Sequence, residues 1–269
     1  MPNMMNALYN IRLLDDLAKK KTIIHRIHPL IKLLTTVAYL TVVVSFGRYE
    51  IASLLPYIFY PVIVFTLAEL PVGPILKRLM FIEPFILGIG ILNPVFDNQT
   101  VVIGEMVVSR GWMTFLAIFI KCDLTITASI LLIATTGIDQ LAAALRMLKV
   151  PKIFVLQIVL TYRYITVLIE EVHRMLMAYS MRAPKQKGVQ HSVWGSFAGG
   201  LMLRTFERAQ RIYEAMSLRG FTGEYNTGDI KKIGLYDFLY LAGWCLFFSI
   251  AKIYNLPMLI GSVVTGVIK

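Results

Sequence analysis

Charge is scarce in this sequence. Only 16% of its 269 residues are charged and 57% are hydrophobic, where a soluble domain is usually about a quarter charged. The mean hydropathy is +0.67. Together these exclude a soluble globular domain and imply an integral membrane protein. Cysteine is scarcer still. Cys122 and Cys245 lie inside apolar runs, so they read as small buried hydrophobes and not as a disulfide or a metal pair. Gly-x-x-x-x-Gly-Lys-[Ser/Thr] does not occur, which excludes nucleotide binding by a P-loop. If ATP drives this chain, another subunit hydrolyses it. The N-terminal stretch has no apolar core and no cleavage site, so it does not read as a secretory signal. Acidic clusters are missing too. Asp15-Asp16 is the only acidic pair near a membrane entry, which argues against a membrane enzyme that needs several carboxylates for Mg²⁺.

Histidine offers little. His25-x-x-His28 is at most half a metal site, and a full site needs two more convergent ligands. The pair reads as two histidines at an interfacial helix start, with Pro29 in the first turn. His173 and His191 stand singly in polar surroundings and read as solvated. The expectation is a chain without resident metal or cofactor.

What is present is a series of apolar runs. Leu30–Phe46, Ile51–Leu70, Phe81–Val95 and Trp112–Thr136 are the first four. Leu235–Ile250 and Leu256–Ile268 are the last two, each shorter than the roughly 20 residues that span a bilayer. These two are expected to tilt or to form a shallow hairpin. The third run is short and opened by Glu83-Pro84, after a loop carrying Lys77 and Arg78. The fold expected is all-α, a polytopic helical membrane protein with about six membrane segments. Lys19, Lys20, Lys21 and Arg26 before the first run, with the Lys77/Arg78 loop, place the N-terminus inside by the positive-inside rule. Both ends are expected in the cytoplasm of a bacterial or archaeal cell, with the chain in the cell membrane. The +11 net charge sits between apolar runs as cytoplasmic loops require, and does not imply nucleic acid.

Residues 137–234 carry 14 Lys/Arg against 7 Asp/Glu. They form a cytoplasmic region between a membrane part of residues 1–136 and a second of residues 235–269. The region holds a direct repeat. Glu170–Ala183 and Glu207–Gly220 both read Glu-x-x-x-Arg-x-x-x-Ala-x-Ser-x-Arg-small. The matched pairs are Glu170/Glu207, Arg174/Arg211, Ala178/Ala215, Ser180/Ser217, Arg182/Arg219 and Ala183/Gly220.

Both copies read as long helices. Apolar residues recur at steps of three and four: Ile165, Leu168, Val172, Met175 and Tyr179 in one, Met202, Phe206, Ala209, Tyr213 and Met216 in the other. That is the spacing of a single buried stripe. Each Glu stands four residues before an Arg, the favourable order for a helical ion pair. Gly220 is a good helix C-cap. Ser196, Ala198, Gly199 and Gly200 permit a close helix crossing. An Arg-Gly helix end alone is ordinary, but a duplicated one points to two like acidic pockets. A symmetric dimeric partner offers those.

Two charges lie inside the fourth run. Lys121 and Asp123 are functional candidates by default, but two residues apart they do not face each other. They line a substrate path, or pair with Glu83 or Glu105, or snorkel to an interface.

The stretch from Lys149 to Ala183, then from Gly195 to Phe221, resembles the transmembrane T component of energy-coupling factor (ECF) transporters. It is most similar to CbiQ, the cobalt type, with the nickel type close behind. The family hallmark, a small residue-Arg-small motif at each of two coupling-helix tips, matches Met181-Arg182-Ala183 and Leu218-Arg219-Gly220. The resemblance implies that these tips dock into grooves of two ATPase subunits, with Ala178, Ser180, Ala215 and Ser217 in the docking segments. It also implies a separate substrate-binding membrane subunit, and a non-catalytic role importing cobalt, or else nickel. Two departures stand out. The first motif ends Arg182-Ala183-Pro184, where Arg-Ser or Arg-Gly is commoner, and His28-Pro29-Leu30 stands where many T components have Asp-Pro-Arg. The alternatives are a T component of the vitamin type, or a self-sufficient secondary transporter. The latter would favour an inverted repeat, whereas this repeat is direct.

Overall fold

In the computed structural model, residues 15–47, 50–97, 100–103, 106–183, 188–223 and 233–254 are described. They fall into two compact units, residues 16–137 with 233–254 and residues 138–223.

The first unit holds α1 (Pro29–Val44), α2 (Ile51–Leu67, with a 3-10 turn at Leu55–Ile58), α3 (Val72–Gly90), α4 (Arg110–Thr136) and, from the C-terminal part, α8 (Leu235–Ile253). A short helix, Leu92–Phe96, extends α3. The second unit holds α5 (Ile138–Met147), α6 (Lys152–Arg182) and α7 (Trp194–Leu218). Val72–Phe96, α4, α6 and α8 are long and apolar enough to cross a membrane, and α1 and α2 are shorter apolar helices. The chain is a polytopic helical membrane protein, as its composition requires.

The helices differ from the sequence reading in instructive places. The third membrane helix starts at Val72, so Lys77 and Arg78 are helical and not in a loop, and Pro84 sits inside the helix. Pro74 falls in the first turn, where a missing N–H costs nothing. Pro84 removes one backbone bond without ending the helix, which neighbouring helices make tolerable in a bilayer. α2 ends three residues early, where Glu69 adopts a positive φ of 49°. Between the third and fourth membrane helices lie two short strands that the sequence reading does not assign. β1 (Thr100–Ile103) pairs antiparallel with β2 (Met106–Ser109). α8 runs three residues further than its apolar run. Leu256–Ile268 lies outside the described residues.

The core of the first unit is aromatic. Tyr39 on α1, Tyr57 and Tyr60 on α2 and Phe248 on α8 are almost fully buried. Their rings stand 4.6–6.3 Å apart between centroids. Burying a phenol requires a partner for its hydroxyl. Tyr39 Oη donates to the Tyr57 carbonyl (3.1 Å) and Tyr57 Oη to the Phe248 carbonyl (2.9 Å). The Tyr60 hydroxyl meets Thr36 Oγ1 at 3.0 Å. Around this core the surface is apolar. Phe81, Phe85 and Ile89, at four-residue steps on α3, are all exposed, as a lipid-facing stripe should be. At the far end of α4 the packing is backbone on backbone. A side chain at Gly111 would meet Pro94 Cα at 2.6 Å, so only glycine fits.

Charges inside this unit cap helix ends. Lys32, on α1 and 3% exposed, donates to the Thr135 carbonyl in the last turn of α4 (2.8 Å). Asp237, also buried, accepts from His28 N (2.8 Å) and Gly234 N (2.8 Å). It serves the N-termini of α1 and α8 at once, where a negative charge also suits the helix dipole. Lys121 donates to the Phe46 and Gly47 carbonyls beyond α1 (2.6 and 3.1 Å). Removing one partner of a buried hydrogen bond leaves the other unsatisfied. Asp237→Ala is therefore expected to cost roughly 1–3 kcal/mol and to lower the unfolding midpoint in detergent. An unmoved midpoint would contradict this account.

His25 gives a pH dependence. Its Nε2–H donates to the Leu17 carbonyl (3.0 Å), which leaves Nδ1 to accept from the Thr22 hydroxyl (2.7 Å). Burial, and then the charge of Lys32, push its pKa below the usual 6.5. The folded state thus favours neutral His25. Its contribution is fully present above pH 6.5 and is lost as pH falls through the lowered value. Thermal unfolding of the wild type should weaken below pH 6.5 more than that of His25→Gln. Parallel pH profiles would refute the assignment.

Candidate functional site

The repeat lies on α6 and α7. Two contacts fix how these helices meet. Glu171 Oε1 accepts from Arg204 Nη1 at 2.8 Å. The Cβ position of Gly200 lies 3.6 Å from Met175 Cε. Four residues forward on α6 thus correspond to four residues back on α7, so the helices run antiparallel. Of the small residues expected to allow a close crossing, Gly200 meets the other helix, whereas nothing lies within 4 Å of the Cβ position of Gly199.

An antiparallel pair sends its two C-termini opposite ways. Arg182 lies 11 residues beyond Glu171, and Arg219 lies 15 beyond Arg204. At about 1.5 Å per residue these are arms of roughly 16 and 22 Å, so the two tips stand at most about 39 Å apart. Both arginines are exposed, as are Met181 (77%) and Leu218 (90%). Among the described residues, neither guanidinium has an ion-pair partner. Ala178 and Ala215 are exposed one turn earlier. Ser180 Oγ donates back to the Met177 carbonyl (2.8 Å), and Ser217 is exposed with its carbonyl accepting from Gly220 N.

The tips end differently. In the second, Gly220 has φ +78°. Gly220 N donates to the Ser217 carbonyl (2.9 Å) and Phe221 N to the Met216 carbonyl (3.0 Å). That pair of bonds is a Schellman motif, and Arg219 is its C-cap. In the first, Ala183 is the C-cap, with φ −128° and one bond from its N–H to the Tyr179 carbonyl (3.0 Å). Its Pro184 neighbour lies outside the described residues. An alanine with a following proline cannot adopt the glycine ending.

Arg174 bonds Glu171, three residues back, which the repeat pattern does not include, and the charge of Glu170 acts on it as well. The predicted i,i+4 pair does form in the second copy, Glu207–Arg211 at 3.8 Å, but such exposed pairs contribute little. More important, the α7 stripe is not buried. Met202, Phe206 and Tyr213 are 74%, 61% and 66% exposed, and α7 has no buried residue. The α6 stripe is half-buried at best. The period was correct, but among the described residues that face is covered only in part, where Ala209, Tyr213 and Met216 look across to α6. Between the helices runs an apolar groove of about 500 Å³, lined by Leu160, Tyr164, Leu168, Ile212 and Met216, with Arg208 its charged member.

Lys121 and Asp123 part company. Lys121 caps α1 and has Glu50 as its charged neighbour. Asp123 has Glu83 beside it. Glu105 lies outside the described residues. The sequence reading overlooked Lys32, Asp237 and the Glu171–Arg204 link. The rule that flags intramembrane charges would have found the first two. The link needed the register of two helices, which sequence spacing does not give.

Gly220→Ala is expected to cost about 1 kcal/mol locally, the penalty of a left-handed alanine. Amide exchange at Gly220 and Phe221 should accelerate roughly five-fold. Gly199→Ala, in a helix interior with open space, should leave that exchange unchanged. Equal rates at Gly220 and Phe221 in wild type and Gly220→Ala would refute the capping role.

Comparison with known proteins places the chain. An uncharacterized protein, MJ1571 of Methanocaldococcus jannaschii, is 25% identical over 187 residues, covering 65% of this chain and 64% of that protein. Nickel permease LarQ of Lactiplantibacillus plantarum is 26% identical over 117 residues, 42% of this chain and 43% of LarQ. The chain thus spans under two thirds of the length of either relative. Residues 20–229 match the family described as CbiQ, cobalt transport protein. That match covers most of the chain, both copies of the repeat included, and the chain belongs to the CbiQ family of membrane transport components.

Proposed function

We propose that this chain is the coupling and scaffold subunit of an ATP-driven transporter of the ECF type, importing a transition-metal ion. Cobalt is the first candidate cargo and nickel the second. The observation that carries the reading is the pair of matched, exposed arginine tips at opposite ends of an antiparallel helix pair. A dimeric ATPase presents two like pockets, and the two tips offer one matched arginine to each. Arg182 and Arg219 are the docking charges, their planar forks suited to a carboxylate. Met181 and Leu218 are the apolar neighbours that enter the same pockets. Ala178 and Ala215, one turn earlier, let the partner backbone approach, and Ser180, Ser217, Ala183 and Gly220 shape the helix ends.

In this reading residues 137–234 are the coupling region, and residues 1–136 and 235–269 hold it in the cell membrane with both termini cytoplasmic. The subunit performs no chemistry. ATP binds on the partner dimer, whose closure moves the two pockets, and the tips move with them. The stems of α6 and α7 carry that movement towards a substrate-binding membrane subunit. The uncovered apolar stripe of α7 suits a chain that works only in such a complex.

A desolvated, bidentate arginine costs roughly 2–5 kcal/mol when truncated. Arg182→Glu with Arg219→Glu is therefore expected to abolish co-purification of the ATPase dimer with a tagged chain. Retention of the ATPase by the double variant would overturn the docking role.

A further inference from the structure

We infer that Glu171 is a positioning residue, the fulcrum that holds α6 and α7 at a fixed crossing so that movement at one tip is delivered to the other. The inference rests on the coupling reading above, but its geometry does not. The two helices meet with unusually little apolar burial, since α7 has no buried residue. Packing of that kind leaves the crossing weakly specified. What bridges the helices at their crossing is one carboxylate shared by two guanidiniums. Glu171 Oε2 takes Arg174 Nη2 of its own helix (2.5 Å), and Oε1 takes Arg204 Nη1 of the other (2.8 Å). The Glu171 side chain is only 13% exposed, against about 60% for either arginine.

Each contact has its own task. Arg174, three residues along the same helix, fixes the carboxylate's rotamer. Arg204 ties that oriented carboxylate to α7. One turn away, the Met175 methyl lies in van der Waals reach of the Gly200 Cβ position on α7, a second contact in the same register. Glu171 falls outside the six matched positions of the repeat. Its counterpart in the second copy is Arg208. The link is thus a feature of the crossing and not of the tips. A rigid crossing turns two independent helices into one lever, and a loose one lets each tip move without the other.

The test measures the crossing and the coupling separately. Spin labels are placed at Met181→Cys and Leu218→Cys, with Cys122 and Cys245 replaced by alanine, and the distance distribution between them is recorded in lipid nanodiscs. The wild type should give one narrow distribution. Glu171→Gln and Arg204→Gln should each broaden it, and the two together should broaden it no further, because they remove the same link. The exchange Glu171→Arg with Arg204→Glu should narrow it again. Arg174→Gln, which spares the interhelical bond, should broaden it less. A Glu171→Gln distribution as narrow as the wild type would overturn the inference, as would an Arg174→Gln effect equal to it.

With native tips, the full complex reconstituted in vesicles should still hold its ATPase dimer in the Glu171→Gln variant. Cobalt(II) or nickel(II) taken up per ATP hydrolysed should fall by about 2- to 30-fold, the range for a coupling residue remote from both ligands. Unchanged uptake per ATP would refute the positioning role. If no ATPase joins even the wild type, the proposed function fails, and the label distances still decide whether Glu171 fixes the crossing.

Discussion

A helix end leaves backbone groups without partners, and a bilayer supplies no water to satisfy them. Much of the polar arrangement in the first unit answers that constraint. Lys32 reaches from α1 to the Thr135 carbonyl at the end of α4. Lys121 reaches from α4 to the carbonyls beyond α1. Lys252, on α8, meets Ser45 at the end of the same helix (2.6 Å). Asp237 takes one N–H from the start of α1 and one from the start of α8. In each case a positive group meets a C-terminal end or a negative group an N-terminal one, the sense the helix dipole favours. Lys32, Lys121, Lys252 and Asp237 thus act as caps, and each ties two helices together.

The second unit obeys a different economy. Its helix tips are capped locally, by backbone bonds around Ala183 and Gly220. The arginines beside them are therefore not consumed by the fold. Leu218, Met181 and the α7 stripe stay exposed, which isolated folding does not favour. Among the described residues this apolar and cationic surface is left largely uncovered, as the docking role proposed above requires. The first unit, with its closed aromatic core, is the part that folding alone accounts for.

How much of this was legible in the sequence depends on range. The helices, their periods and the Gly220 ending were readable because they follow from neighbours three and four residues away. Boundaries failed where a rule has two outcomes. Pro84 reads as a breaker, yet in an apolar helix it is absorbed. The strands at residues 100–103 and 106–109 were missed, because four residues are too few for a strand period to show. The stripe of α7 had the right period, but burial is decided by what lies opposite, and the sequence does not say what lies opposite. The Glu171 fork failed for the same reason. Glu170 has the spacing to Arg174 and acts on it, but Glu171 also gains an arginine from α7, which spacing along one helix does not show.

The repeat and the crossing also explain each other. A direct repeat gives two helices the same direction along the chain, not in space. Laid antiparallel, its copies become related by a local two-fold axis across the pair. With Glu171 level with Arg204, the point of equal register falls at Ile169 and Phe206. From there Arg182 and Arg219 each lie 13 residues on, roughly 20 Å in opposite directions. The ionic link stands two residues from that point, about 3 Å along the helix. Measured from the link itself the arms are unequal, roughly 16 and 22 Å, so the link lies close to the two-fold point of the repeat without coinciding with it. The caps are unequal as well, because only the second copy ends in the glycine that a tight turn requires.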